Sequence, residues 1–166
     1  MSAVHLVFGP VGAGKSTYAR ALATRAGGVR FAIDDWMHDL FAPDPAPSMD
    51  FAWIMARVRR CEARIRATAA DVLATGTPVV LDLGFMKAAD RTTFRDWAQA
   101  LGHAARTHYV HAPTPVRAER VRTRNAMRGE TFSFEVTPQM FAFMEHWFEP
   151  PGDVERVAAI VVETAT

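Results

Sequence analysis

The sequence predicts an α/β fold: a three-layer sandwich in which a five-stranded parallel sheet lies between two layers of helices. Three observations carry this. Short apolar runs of strand length alternate with stretches of helical periodicity along the chain. The first run, Val4 to Phe8, leads directly into a glycine-rich loop, and an alanine-rich helical stretch follows from Ser16 to Ala26. The 166 residues are 49% hydrophobic and 22% charged, which suits one domain with a sizeable core and argues against disorder.

The loop reads Gly9-Pro10-Val11-Gly12-Ala13-Gly14-Lys15-Ser16-Thr17 and fits G-x-x-x-x-G-K-[ST] between a strand and a helix. Glycines let the backbone take positive φ and turn its N–H groups onto an anion, and the helix N-terminus adds partial positive charge. Lys15 is a compact ammonium able to reach the outer phosphates of a nucleotide, and Ser16 offers a hydroxyl to Mg²⁺. Gly9, Gly12, Ala13, Gly14, Lys15, Ser16 and Thr17 are therefore the expected nucleotide-binding residues, with ATP and Mg²⁺ as cofactors.

The remaining elements follow in order. Val29 to Ile33 reads as a second strand ending at Asp34-Asp35, with one or two helical turns over Trp36–Phe41. Pro43 to Ser48 is a proline-rich loop. A long helix is expected from Asp50 to Ala74, its stripe formed by Ile54, Val58, Cys61, Ile65, Ala69 and Val72. Arg57, Arg60, Arg64 and Arg66 lie mostly off that stripe and read as a solvated face; Gly76 closes the helix. Pro78 to Asp82 is the third strand, Ala88 to Leu101 a helix closed by Gly102, and Thr107 to His111 the fourth strand. Thr114 is the expected cap of an arginine-rich helix over 115–127 that breaks at Gly129. Thr137 caps a last helix from Pro138 to about Phe148, and Val157 to Val162 forms the final strand.

Composition narrows the partners. A net charge of +1 disfavours charge-driven binding to nucleic acid or membranes. Lysine occurs only at Lys15 and Lys87, so arginine supplies nearly all the positive charge. The single cysteine, Cys61, permits no internal disulfide and fits a reducing cytosol as a packed thiol. No signal peptide and no apolar run of about 18 residues is present, so a cytoplasmic chain with no membrane span is expected, as a monomer or homodimer.

Asp34 and Asp35 follow the second strand, at the end of a parallel sheet where ligands bind. Asp34 is the candidate to accept or orient the proton of a substrate hydroxyl, with Asp35 as helix cap or support. Asp82 ends the third strand, where an acidic residue can hold Mg²⁺, alongside Ser16. Arg117, Arg120, Arg124 and Arg128 are spaced three, four and four apart, which places them on one helix face suited to phosphate oxygens. Their position before Gly129 suggests a lid over about 115–136. The aromatic and Met residues between Phe132 and Phe148 are expected mostly in the core, some lining an acceptor pocket with Phe85, Trp36 and Trp53. His38, His103, His108, His111 and His146 show no metal-ligand spacing.

Taken together, the Walker loop, the Asp34-Asp35 pair, the run Val79-Val80-Leu81-Asp82-Leu83-Gly84 and the arginine stripe resemble the small P-loop kinases. That group includes chloramphenicol phosphotransferase, the zeta toxins, the 5′-kinase domain of polynucleotide kinase, and proteins labelled AAA-type ATP-binding. The resemblance covers nearly the whole chain and implies a P-loop NTPase three-layer sandwich with an arginine-rich helical lid. It implies Lys15 and Asp34 as catalytic residues. It also implies Arg120, Arg124 and Arg128 as lid residues contacting adenine or phosphates. Asp82 stands where zeta toxins carry Glu, which argues against a sugar-nucleotide substrate. The expected activity is transfer of the ATP γ-phosphate to a hydroxyl of a small molecule. The competing readings are a 5′-hydroxyl nucleic-acid kinase and a non-kinase switch protein with slow ATP hydrolysis.

Overall fold

The computed structural model describes residues 2–41, 51–129 and 134–164. Among them the chain runs β1 (Ala3–Phe8), α1 (Lys15–Ala26), β2 (Val29–Ala32), α2 (Ile33–Phe41), α3 (Phe51–Ala74), β3 (Val79–Asp82), α4 (Ala88–Ala100), β4 (Ala104–His111), α5 (Thr114–Met127), α6 (Pro138–Trp147), α7 (Asp153–Ala158) and β5 (Ile160–Glu163). The strands form one parallel sheet in the order β2-β3-β1-β4-β5. The predicted alternation thus gives the predicted architecture.

Period-two alternation divides the core. On β1, Val4, Leu6 and Phe8 face a cluster with Ile65, Ala69 and Leu73 of α3 and Phe94 and Ala98 of α4, whereas Val7 faces Ala19, Leu22 and Ala23 of α1. β3 is buried at every position, as a strand covered on both faces must be. All five strands run the same way, so their C-terminal ends share one edge. β1 lies between β3 and β4, so the glycine loop leaves the sheet beside the end of β3.

Several boundaries differ from the sequence expectation. Ile33 belongs to α2, not β2, so Asp34 and Asp35 sit in the first turn of a helix. β4 begins three residues earlier than expected, because Ala104 to Arg106 pair with β1. Pro113, not Thr114, is the N-cap of α5, and the helix ends at Arg128 in the left-handed conformation before Gly129 is reached. Val157 and Ala158 belong to α7, an unexpected turn-and-a-half of helix. The loop Pro43–Ser48, Asp50 and Phe132 lie outside the described residues. The α6 aromatics are not core: α6 has no buried residue, and only Phe148 at its C-cap joins the main cluster. Cys61 is packed as expected, and burial pushes its thiol pKa up.

Two buried polar groups organise this frame. Arg91 of α4 is fully buried over the Phe8 ring. It forks onto both carboxylate oxygens of Glu155 in α7 and donates to the carbonyl of Phe85, whose φ is +47°. On the α1 side, His108 Nε2 meets His5 Nδ1 at 2.9 Å, and its Nδ1 meets the Tyr18 hydroxyl at 2.8 Å. Neutral His108 has one donor and one acceptor, which suits this relay in either tautomer.

Burial, then the neighbouring His5, Arg106 and Arg25, lower the His108 pKa to about 4. Burial and Arg106 also lower that of His5. The unfolded chain therefore takes up protons first. Stability is full above about pH 6.5 and falls as pH drops towards 4, with His108 alone accounting for on the order of 3 kcal/mol. Urea midpoints measured across this window, for the parent and for His108→Gln, test the relay. Equal pH slopes in the two proteins would exclude it.

Candidate active site above the glycine loop

The loop between β1 and α1 holds its shape through close backbone approaches. Gly9 has φ +154° and Gly12 φ +77°. A Cβ on Gly9 would lie 1.9 Å from the Val110 carbonyl oxygen, and one on Gly12 would lie 2.6 Å from that of Arg117. Only glycine fits either place, and the result is a bare backbone cradle able to face an anion. Gly14, Lys15, Ser16 and Thr17 carry the loop into α1, with Gly14 left-handed at the N-cap and Thr17 exposed. Ala13 is buried, and its carbonyl accepts from the Thr164 hydroxyl at the end of β5.

Lys15 Nζ donates to the Pro10 carbonyl at 2.9 Å, folded back across the loop. Burial lowers its pKa, opposed by the pull of Asp82 and Asp34, while Arg124 and Arg117 act in the same direction as burial. An ammonium strained in this way gains from a phosphate, which would replace a neutral carbonyl with a charged acceptor. We expect Lys15→Ala to weaken ATP binding by on the order of tenfold or more. Calorimetry with equal affinities for parent and variant would remove Lys15 from the nucleotide site.

Three carboxylates gather at the sheet edge, and one arginine sorts them. Arg30 of β2 donates through Nε and Nη2 to Asp82 Oδ2, at 3.2 and 2.7 Å, and through Nη1 to Asp35 Oδ2, at 2.9 Å. Asp82 is buried, whereas Asp35 is partly open. Asp34 makes no hydrogen bond or ion pair with any described residue. Asp34 is exposed at the start of α2. Desolvation by the neighbouring protein is the main cause that raises its pKa, followed by Asp82; Lys15 and Arg124 pull it down, and Asp35 adds a smaller upward push. Sequence reasoning did not single out Arg30. Its signal was a lone arginine in an otherwise apolar strand.

The arginine stripe of α5 divides by role. Arg117 is buried, and all five of its N–H donors are used. They go to the carbonyls of Ala112 and Val11, the Thr114 hydroxyl, and both oxygens of Glu145 in α6. It therefore holds the loop and α6 in place and has no donor left for a phosphate, contrary to its expected membership of the phosphate-facing stripe. Arg120 donates to the hydroxyl and carbonyl of Thr164, beside Gly14. Arg124 faces Asp34 and Lys15 electrostatically, and its buried Nε has no partner. Burial lowers its pKa, with Asp34 opposing. Arg128 is exposed at the C-cap of α5.

This arrangement fits a nucleoside triphosphate. The cradle, Lys15 and the unpartnered Nε of Arg124 all offer donors, and Arg124 lies within electrostatic reach of Lys15 and Asp34. Among the described residues no group of three or more His, Cys, Asp and Glu is placed to hold a metal. Ser16 and Asp82 are the residues that would hold Mg²⁺ alongside nucleotide phosphates, hard oxygen donors that suit this ion. Among the described residues no helix is long and apolar enough to cross a membrane. Phe85 packs edge-on against Phe94 in the core and does not line the cleft.

Comparison with known proteins agrees with the fold. A family model described as an AAA domain matches residues 4–151. No curated protein matches the chain. Among solved structures, a protein provisionally assigned as a kinase, from Chloroflexus aurantiacus, is 19% identical with a TM-score of 0.76, covering 98% of this chain and 88% of that one. Kti12 of Chaetomium thermophilum, solved in complex with ADP-AlF3, is 16% identical with a TM-score of 0.70, covering 98% and 88%. A gluconokinase from Sinorhizobium meliloti 1021 is 20% identical with a TM-score of 0.57, covering 99% and 83%. At these identities the likeness is one of fold. The family match spans the glycine loop, the carboxylates and the α5 arginines, and the chain belongs to the AAA domain family, built on the P-loop NTPase fold.

Proposed function

We propose that this protein is an ATP- and Mg²⁺-dependent kinase that transfers the γ-phosphate to a hydroxyl of a small molecule. One observation carries the reading. Of the three carboxylates at the sheet edge, Arg30 engages Asp35 and Asp82, whereas Asp34 has no partner among the described residues and lies within electrostatic reach of Lys15 and Arg124. A nucleotide switch needs a phosphate cradle, but it has no use for an unpaired carboxylate of raised pKa beside it. A kinase does.

In this reading the glycine loop and Lys15 hold the β- and γ-phosphates. Arg124 donates its free Nε–H to the transferring group, and Arg120 and Arg128 lie on α5 and at its C-cap, beside it. Mg²⁺, with Ser16 and Asp82 nearby, neutralises phosphate charge when bound. Asp34 takes the acceptor's proton as its oxygen forms the new bond to γ-phosphorus. The bond from that phosphorus to the β,γ-bridging oxygen breaks, and ADP leaves with the electron pair. Positioning and charge do most of the work in such a reaction. The gluconokinase and sugar-kinase folds among the similar structures accord with a small polyol or sugar-like acceptor.

The test is a screen of hydroxyl compounds for ADP formation above the rate without acceptor, with and without excess chelator. The expected result is a compound that raises turnover, and loss of that turnover when Mg²⁺ is removed. Uniform background turnover across sugars, polyols, hydroxy acids and nucleosides would defeat the kinase reading.

A further inference from the structure

Among the described residues, two buried side-chain nitrogens lack a partner: Nε of Arg124 and Nε of Arg57. The first faces the nucleotide place. The second is on α3, which packs against α2, the helix that carries Asp34, and nothing in the phosphate chemistry uses it. The sequence reads Arg57 as part of a solvated face, but the structure holds it half-buried. Its guanidinium lies 3.4 Å over the Trp53 ring and 5.4 Å from the centroid of Phe41, the last residue of α2. Among the described residues its one hydrogen bond runs from Nη1 to the Trp53 carbonyl, 3.2 Å away.

The contrast with its neighbours is chemical. Arg30, Arg91 and Arg117, the other arginines held in the interior by several bonds, each pair with carboxylates. Arg57 pairs with none among the described residues. An arginine stacked on an aromatic ring keeps its in-plane N–H edge for a planar or tetrahedral anion. A buried N–H left unbonded is costly, and a bound partner removes the cost.

Position links this edge to the reaction. Asp34 and Phe41 are seven residues apart on α2, hence on one face and about 10 Å apart along its axis. The same face therefore carries the free carboxylate at one end and meets Arg57 at the other.

We infer that the acceptor is an anionic hydroxyl compound, its carboxylate or phosphate held by Arg57 while its hydroxyl lies at Asp34. This rests on the kinase reading for the role of Asp34, but the anion site at Arg57 is readable without any turnover. A single arginine and a net charge of +1 favour a small acid over a nucleic-acid strand.

The experiment uses the full chain labelled with ¹⁵N-arginine and saturated with Mg·ADP, so that the glycine loop is filled. The Arg57 Nε–H resonance is identified by its loss in Arg57→Lys. Inorganic phosphate, D-gluconate and glucose 6-phosphate are titrated against glucose, and a dinucleotide with a free 5′-hydroxyl is titrated separately. Saturable shifts of this resonance with the anions and none with glucose are expected. Affinity for the tighter sugar anion should fall by on the order of tenfold or more in Arg57→Gln, with ADP affinity unchanged.

A resonance that no anion moves, in a sample that binds ADP, overturns the inference and leaves the kinase reading standing. A response to the dinucleotide alone overturns it in favour of a nucleic-acid acceptor. Failure to bind ADP counts against the kinase reading, while the shifts at Arg57 still decide this one.

Discussion

Asp34→Asn should lower phosphoryl transfer by about 10²–10⁴-fold while leaving ATP affinity nearly unchanged. The substitution keeps size and most hydrogen bonding but removes charge and basicity. Asp35 and Asp82 are tied to Arg30 and cannot replace it without breaking that bridge. The fold should tolerate the change, because Asp34 makes no bond with any described residue. The raised pKa adds a sign. A base works deprotonated, so transfer rises with pH through a limb placed above the ordinary Asp range, and that limb is absent from the variant. The measurement is single-turnover transfer to an acceptor found in the screen, with melting temperature and ATP affinity followed in parallel. A stable variant that binds ATP and transfers at the parental rate would remove Asp34 from catalysis. It would also favour the switch reading.

Arg117→Met should destabilise the protein by about 3 kcal/mol, at the low end of the range for a broken buried ion pair because Glu145 is partly open to water. The change leaves the Glu145 carboxylate without its partner and frees the carbonyls of Val11 and Ala112. The Val11 bond runs to the glycine loop, so ATP affinity should fall as well. Because the cost comes largely from the abandoned carboxylate, adding Glu145→Gln should recover part of it. Denaturant unfolding of the single and double variants separates these terms. A loss under about 1 kcal/mol, the range of a surface pair, would mean that Arg117 is an ordinary surface arginine.

Much of this was legible in the sequence, because local physics decides it. Strand-length apolar runs, a glycine loop and alanine-rich helical stretches determined the layered fold and the place of the phosphate cradle. Gly9 and Gly12 stand where a Cβ would strike backbone, and Asp34 lies at the sheet edge because it follows β2. Spacing also put Arg117, Arg120 and Arg124 on one face of α5. Spacing could not assign their roles, because each role depends on residues far away in the chain. Arg117 is claimed by Glu145, Arg120 by Thr164, and Arg124 is left with a free nitrogen. The sequence favoured Asp34 over Asp35 for the acceptor proton, but the ion pairs of Arg30 with Asp35 and Asp82 appear only once β2 and β3 pair. Arg57 read as solvated because nothing in its own helix foretells Phe41 above it. Backbone propensity and turn chemistry act over a few residues, so the sequence by itself determined the frame and its phosphate loop. Ion pairs form between residues up to 64 apart here, so only the tertiary structure decided which charges are spent on the fold and which remain for a ligand.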